Sequence, residues 1–122
     1  MQSHSVVLLQ GNARANEFLA FSLSQSFSSV QRIQSVDELR NKIAKSRAEI
    51  AILDLERTPL NEVATLVHDF PALSVICTHR VPDEEMWADA LRAGAADMCQ
   101  TNDISGIVRA ARKIPMRQST AA

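Results

Sequence analysis

The sequence predicts an α/β domain: a three-layer, doubly wound (βα)5 sandwich with five parallel strands and helices on both faces. Three observations carry that prediction. Short apolar runs alternate with amphipathic segments along the 122 residues, and the connections between them are short. No linker, repeat or low-complexity stretch interrupts the alternation, which is the pattern of consecutive βα units. The third observation is Ile50-Ala51-Ile52-Leu53-Asp54-Leu55, where four apolar residues run straight into one carboxylate. A run so short and apolar reads as a strand buried on both faces. Its acid then emerges at the carboxyl end of a parallel sheet, where open α/β folds place their chemistry.

Each element follows from local pattern. Residues 5–10 (SVVLLQ) form a buried strand, and a Gly11-Asn12 turn follows. Residues 16–27 carry Phe18, Leu19, Leu23 and Phe27 at helical spacing. Residues 30–34 alternate instead of running continuously, which suits a sheet edge. Ser35 caps a helix with Asp37 and Glu38 in its first turn and Leu39, Ile43 and Ala44 on one face. Residues 50–53 are the central strand. Residues 60–70 gather Val63, Leu66 and Val67 into a helix that Pro71 stops. Residues 73–78 are a further strand. Pro82-Asp83-Glu84-Glu85 opens the next helix, with proline at its first position and acids at its positive end. That helix ends near Gly94, and residues 96–99 form a short strand. Asn102 or Asp103 caps a last helix built on Ile104, Ile107, Val108, Ala111 and Ile114, ended by Pro115. One domain over residues 1–115 is expected, with 116–122 a flexible tail or the start of a linker.

Composition removes several function classes. Apolar content is 46% and charge 22%, and 13 Lys and Arg nearly balance 14 Asp and Glu. A formal charge of -1 argues against a dominant nucleic-acid surface, which needs clustered excess cations. Cys77 and Cys99 fall inside apolar runs and read as small buried hydrophobes, not a disulfide or metal pair. A reducing, cytoplasmic setting follows. There is no apolar run of membrane length and no signal-peptide pattern. His4 and His68 read as surface residues. Neither a metal-ligand spacing nor a nucleophile–base pair or cofactor motif is present, so a non-enzymatic chain without metal or cofactor is expected.

The segment Ala90-Leu91-Arg92-Ala93-Gly94-Ala95-Ala96-Asp97 is similar to the A-L-x-A-G-A-x-D pattern of the receiver domain of bacterial two-component response regulators. With five βα units and an acid closing the third strand, the chain resembles that family over roughly residues 5–114. The resemblance implies a flavodoxin-like strand order of 2-1-3-4-5. It also places Asp54 at the phosphoacceptor position and Thr78 at the switch Ser/Thr.

The family's chemistry does not transfer as readily. Receivers place two acids after strand one to hold Mg²⁺; the corresponding positions here are Gln10 and Gly11, followed by Asn12. The family's lysine after strand five falls on Thr101, and its aromatic switch on Met98. Phosphoryl transfer is largely charge neutralisation by metal and cation, and Mg²⁺ gains most from carboxylates. One Asp among neutral amides is a poor site. The resemblance therefore implies a pseudo-receiver that signals by protein interaction, without phosphate.

Alternatives remain open at this level. Asp54 reads first as a solvated strand-end acid or loop cap, with an active phosphoacceptor, Asn12 or Glu56 completing the site, or a small-ligand contact as the alternatives. The last would use a vacated pocket of Gln10, Gly11, Asn12, Asp54, Thr78 and Thr101. Arg80, beside His79, could grip an anion as a planar fork or simply sit in solvent. On the helix-four, strand-five, helix-five face, Trp87 with Met86 and Met98 reads as an anchor for a partner or a second copy. The competing reading folds Trp87 back over the core edge. The match turns Ala90, Leu91 and Gly94 toward the sheet.

Overall fold

A computed structural model of the protein describes residues 2–11 and 13–114. Ten elements alternate: β1 (Gln2–Leu9), α1 (Ala13–Ser24), β2 (Phe27–Arg32), α2 (Val36–Ser46), β3 (Ile50–Asp54), α3 (Leu60–Asp69), β4 (Ser74–His79), α4 (Glu84–Arg92), β5 (Asp97–Gln100) and α5 (Ile104–Lys113). The strands form one parallel sheet in the order β2-β1-β3-β4-β5. Asn12, Pro115 and residues 116–122 lie outside the described residues, as does the side chain of His4.

Two apolar layers sandwich the sheet, and strand alternation assigns residues between them. Val7, Leu9, Ala51, Leu53, Val75, Cys77 and Met98 face α2, α3 and α4. Val6, Leu8, Ile50, Ile52 and Ile76 face α1 and α5, where Leu19, Leu23, Ile107, Ala110 and Ala111 meet them. Ile50, Ala51, Ile52 and Leu53 have no exposed surface, as expected for a strand covered on both faces.

The helix ends follow their caps. Ser35 accepts from the Glu38 N–H, Asp83 from the Met86 N–H and Asp103 from the Gly106 N–H. Arg47 ends α2 in the left-handed region at φ 53°.

Several expectations need correction. α1 stops at Ser24, not at residue 27, because Ser24-Gln25-Ser26 breaks the apolar spacing; the Ser24 hydroxyl donates to the Phe21 carbonyl. Phe27 instead opens β2 and is buried against α1 and α5. Phe18, assigned to the buried stripe, is 62% exposed, since Leu19 and Leu23 already fill the face toward the sheet. Ala44 is exposed behind Leu39 and Ile43. Pro82 lies before the Asp83 cap and not at the first helical position of α4. Only Cys77 is fully buried; Cys99 is half-buried on the edge strand. Burial pushes the Cys77 thiol up to about 12 and, with help from Asp97 and Asp103, the Cys99 thiol to about 11.

Candidate functional site

The carboxyl ends of β1 and β3 lie side by side, because the chain runs from β1 one way to β2 and returns past it to β3. Asp54 closes β3 and is 3% exposed. Its Oδ2 accepts the Gly11 N–H at 3.0 Å, and its Oδ1 the Glu56 N–H at 2.9 Å. The Asp54 carbonyl also accepts from Arg57 (2.9 Å) and Thr58 (2.8 Å), folding the loop back on itself. Asp54 thus pins two loops by charge-assisted bonds. A solvated strand-end acid does not describe this geometry; a loop cap does.

Gly11 has a specific reason to lack a side chain: a Cβ there would stand 2.9 Å from Asp54 Oδ2. The Arg57 stem lies over the same spot, and its guanidinium passes on to the Gln34 carbonyl at 2.8 Å. Gln10 is buried, with Nε2 donating to Thr78 Oγ1 and to the Leu9 carbonyl, both at 3.2 Å. Two residues assigned to a vacated pocket are therefore bonded to one another. Thr101 is buried after β5 and its N–H donates to His79; its hydroxyl, like that of Thr58, has no partner among the described residues.

Arg80 grips an anion, but one on its own chain. Its Nη2 and Nε reach Glu56 at 2.8 and 3.1 Å, a two-pronged clasp between the β3 and β4 loops. Hydrogen bonding from Arg80 holds the Glu56 carboxyl below the ordinary glutamate range, and Glu56 raises Arg80 in turn. A lowered carboxylate value means the clasp is intact above the free-glutamate range and is lost as pH falls through the lowered value. Both side chains are exposed, so the pairing orients the loops more than it stabilises the fold. Arg57 is the residue the sequence did not single out; nothing in its surroundings along the chain announces a bond to Gln34. Among the described residues, no group of three His, Cys, Asp or Glu could hold a metal ion.

The α4–β5 surface differs from expectation in one member. Trp87 is 47% exposed and lines a hollow of about 370 Å³ with Pro82, Asp83 and Glu84. Met98 forms its floor and is only 7% exposed, because it points under α4 into the core layer. Met86 is half-buried against the same layer. Leu91, expected toward the sheet, is outward at 38% exposure, and Ala90 alone on α4 is fully inward. His68 is exposed.

Among solved structures, the chain is similar to a CheY-like protein, TadZ, from Pseudomonas aeruginosa (23% identity, 96% of this chain and 100% of that one, TM-score 0.70). It is similar to a LuxR-family two-component response regulator from Aurantimonas sp. SI85-9A1 (13% identity, 91% and 84%, TM-score 0.80). A third is an orphan response regulator of H. pylori (16% identity, 92% and 97%, TM-score 0.78). No family model matches the sequence, and no curated protein does. The fold is that of response regulator receivers. Among the described residues, no helix is long and apolar enough to cross a membrane.

Proposed function

We propose that this receiver-fold chain is a degenerate receiver: a cytoplasmic, non-enzymatic signalling module that acts by binding protein and does not depend on phosphorylation. The observation that carries the reading is the state of Asp54. Both carboxylate oxygens are held by backbone N–H groups, and the nearby cations are committed elsewhere, Arg57 to Gln34 and Arg80 to Glu56. Gln10, Gly11 and Thr101 add no charge where metal and lysine would be needed. A phosphorylated Asp54 would have to draw Arg57 or Arg80 off those partners to offset the added charge. The vacated-pocket alternative draws no support from Gln10 and Thr78, which satisfy each other.

Amide spectra with and without Mg²⁺ plus beryllofluoride test this, together with the intact mass after acetyl phosphate. Unchanged spectra and mass are expected. Shifts spreading from residues 53–56 to Thr78 and α4, or a stoichiometric phosphoryl adduct on Asp54, would establish a working receiver instead.

Output then passes through the α4–β5–α5 face, with Trp87 as anchor, to a protein partner or a second copy, without direct nucleic-acid or membrane contact. Half-exposed Trp87 makes Trp87→Ala tolerable to the fold. The variant is expected to keep its melting midpoint and lose self-association, or partner binding, about tenfold or more, as for a hot-spot Trp. Unfolding would return Trp87 to the core edge.

A further inference from the structure

His79 closes β4 beside Arg80, and its ring holds the loop that follows. The ring Nδ1 accepts the Val81 N–H at 3.0 Å. An N–H can only donate, so that ring nitrogen carries no proton while the bond exists. The bond turns the chain just past the strand, as an asparagine oxygen does when it accepts from the residue two ahead. Hydrogen bonds, not packing, set the path here. The Val81 side chain is 74% exposed, and Pro82 has no N–H to give. Gln100 Nε2 supplies a second tie by donating to the Arg80 carbonyl at 3.0 Å, and the Arg80–Glu56 clasp is a third.

Charged groups surround the ring unevenly. Glu56, from the loop between β3 and α3, is close enough to feel its charge, and Arg80, next along the chain, already clasps that acid. Asp54, two residues before Glu56, gives both oxygens to backbone N–H groups. β5 sets Gln100 opposite His79, and Thr101 follows; both are neutral. Beyond the loop, Asp83 caps the Met86 N–H, and Glu84 opens α4. Hydrogen bonding from Arg80 holds the Glu56 carboxyl below the ordinary glutamate range, so as pH falls the clasp outlasts the range in which a histidine titrates. Of the three ties, only that from Val81 to His79 is lost in that range.

We infer that His79 is a proton-operated latch on the β4–α4 loop: protonation turns Nδ1 from acceptor to donor and releases the Val81 N–H. The proton comes from solvent and stays on the ring, and no covalent bond of the chain changes. Val81 leads directly into Pro82 and Asp83, which line the hollow where Trp87 stands. The latch thereby couples proton concentration to the shape of the Trp87 surface, formed at neutral pH and loosened in acid. Its effect on output rests on the reading of Trp87 as an anchor; the latch itself does not.

The test compares three chains free in solution. These are the natural one, His79→Asn, whose side-chain oxygen can accept the Val81 N–H at every pH, and His79→Ala, which has no acceptor. Amide and imidazole spectra are followed between about pH 5 and 8, together with emission from Trp87, the one tryptophan of the chain. The natural chain is expected to match the Asn variant at the alkaline end and the Ala variant at the acid end. Its Arg80, Val81 and Asp83 amides should move in step with the His79 ring. At the acid end, Val81 exchange should run about fivefold faster than in the Asn variant at the same pH. Trp87 emission should separate the two variants throughout. Unchanged amides in β1 and β3 control for folding, and His4 and His68 are common to all three chains. The proposal is overturned if the loop amides stay fixed while the ring titrates, if they titrate equally in the Asn variant, or if Trp87 emission of the two variants coincides. No partner enters these measurements, so their failure leaves the Trp87→Ala prediction to stand or fall separately.

Discussion

Gly94→Val is expected to lower unfolding free energy by about 3 kcal/mol, read as a fall of roughly 10 °C in melting midpoint. Gly94 holds φ at 105° in the turn from α4 to β5, a conformation that residues with side chains rarely adopt. Space is short as well: a Cβ at this position would come within 2.9 Å of Val67 Cγ1 on α3. The two costs separate in a double variant. Val67→Ala should relieve the crowding and recover only part of the loss, because the backbone strain stays. Full recovery would show that contact alone matters, and no loss at all would mean that the turn has other conformations open to it. The glycine of the Ala90–Asp97 segment is thus explained by backbone geometry and by α3, not by resemblance.

Asp54→Ala should cost about 2 kcal/mol, because the Gly11 and Glu56 N–H groups lose a charged acceptor at a nearly buried site. Asp54→Asn keeps one acceptor oxygen and should cost about half as much. Denaturant melts of the three proteins give the comparison. An acid standing in solvent could be removed for less than about 0.5 kcal/mol, and such a value would contradict the pinning role. Amide exchange at Gly11 and Glu56 should quicken in the alanine variant in step with the lost bonds.

The β3 strand was fully legible from Ile50-Ala51-Ile52-Leu53-Asp54, because burial on both faces leaves no room for polar residues. The α2 start was legible too, since Ser35 with Glu38 three residues on is a local device that needs no tertiary help. α1 was misplaced by three residues at each end: Phe18 and Phe27 fit a helical spacing that Leu19 and Leu23 alone define in space. Apolar periodicity cannot say which phenylalanine faces the sheet. At the site, sequence brought out Gln10, Asp54 and Thr78 because they end strands. It could not show that Gln10 and Thr78 bond to each other across 68 positions, or that Arg57 turns away to Gln34 and Arg80 to Glu56. Those pairings depend on loop paths, which short sequence patterns do not encode.

A carboxylate whose oxygens are both occupied by its own backbone has a consequence for control. A covalent switch divides a population into two forms at fixed abundance, and an upstream enzyme sets the ratio. On the reading proposed above, in which Asp54 takes no phosphate, the chain has a single covalent form, and at a given pH partner occupancy follows mass action alone. A tenfold change in output then needs about 1.4 kcal/mol of affinity or a comparable change in concentration. Regulation of such a module moves from chemistry to supply: how much of it is made, how long it lasts, and how much partner competes for it.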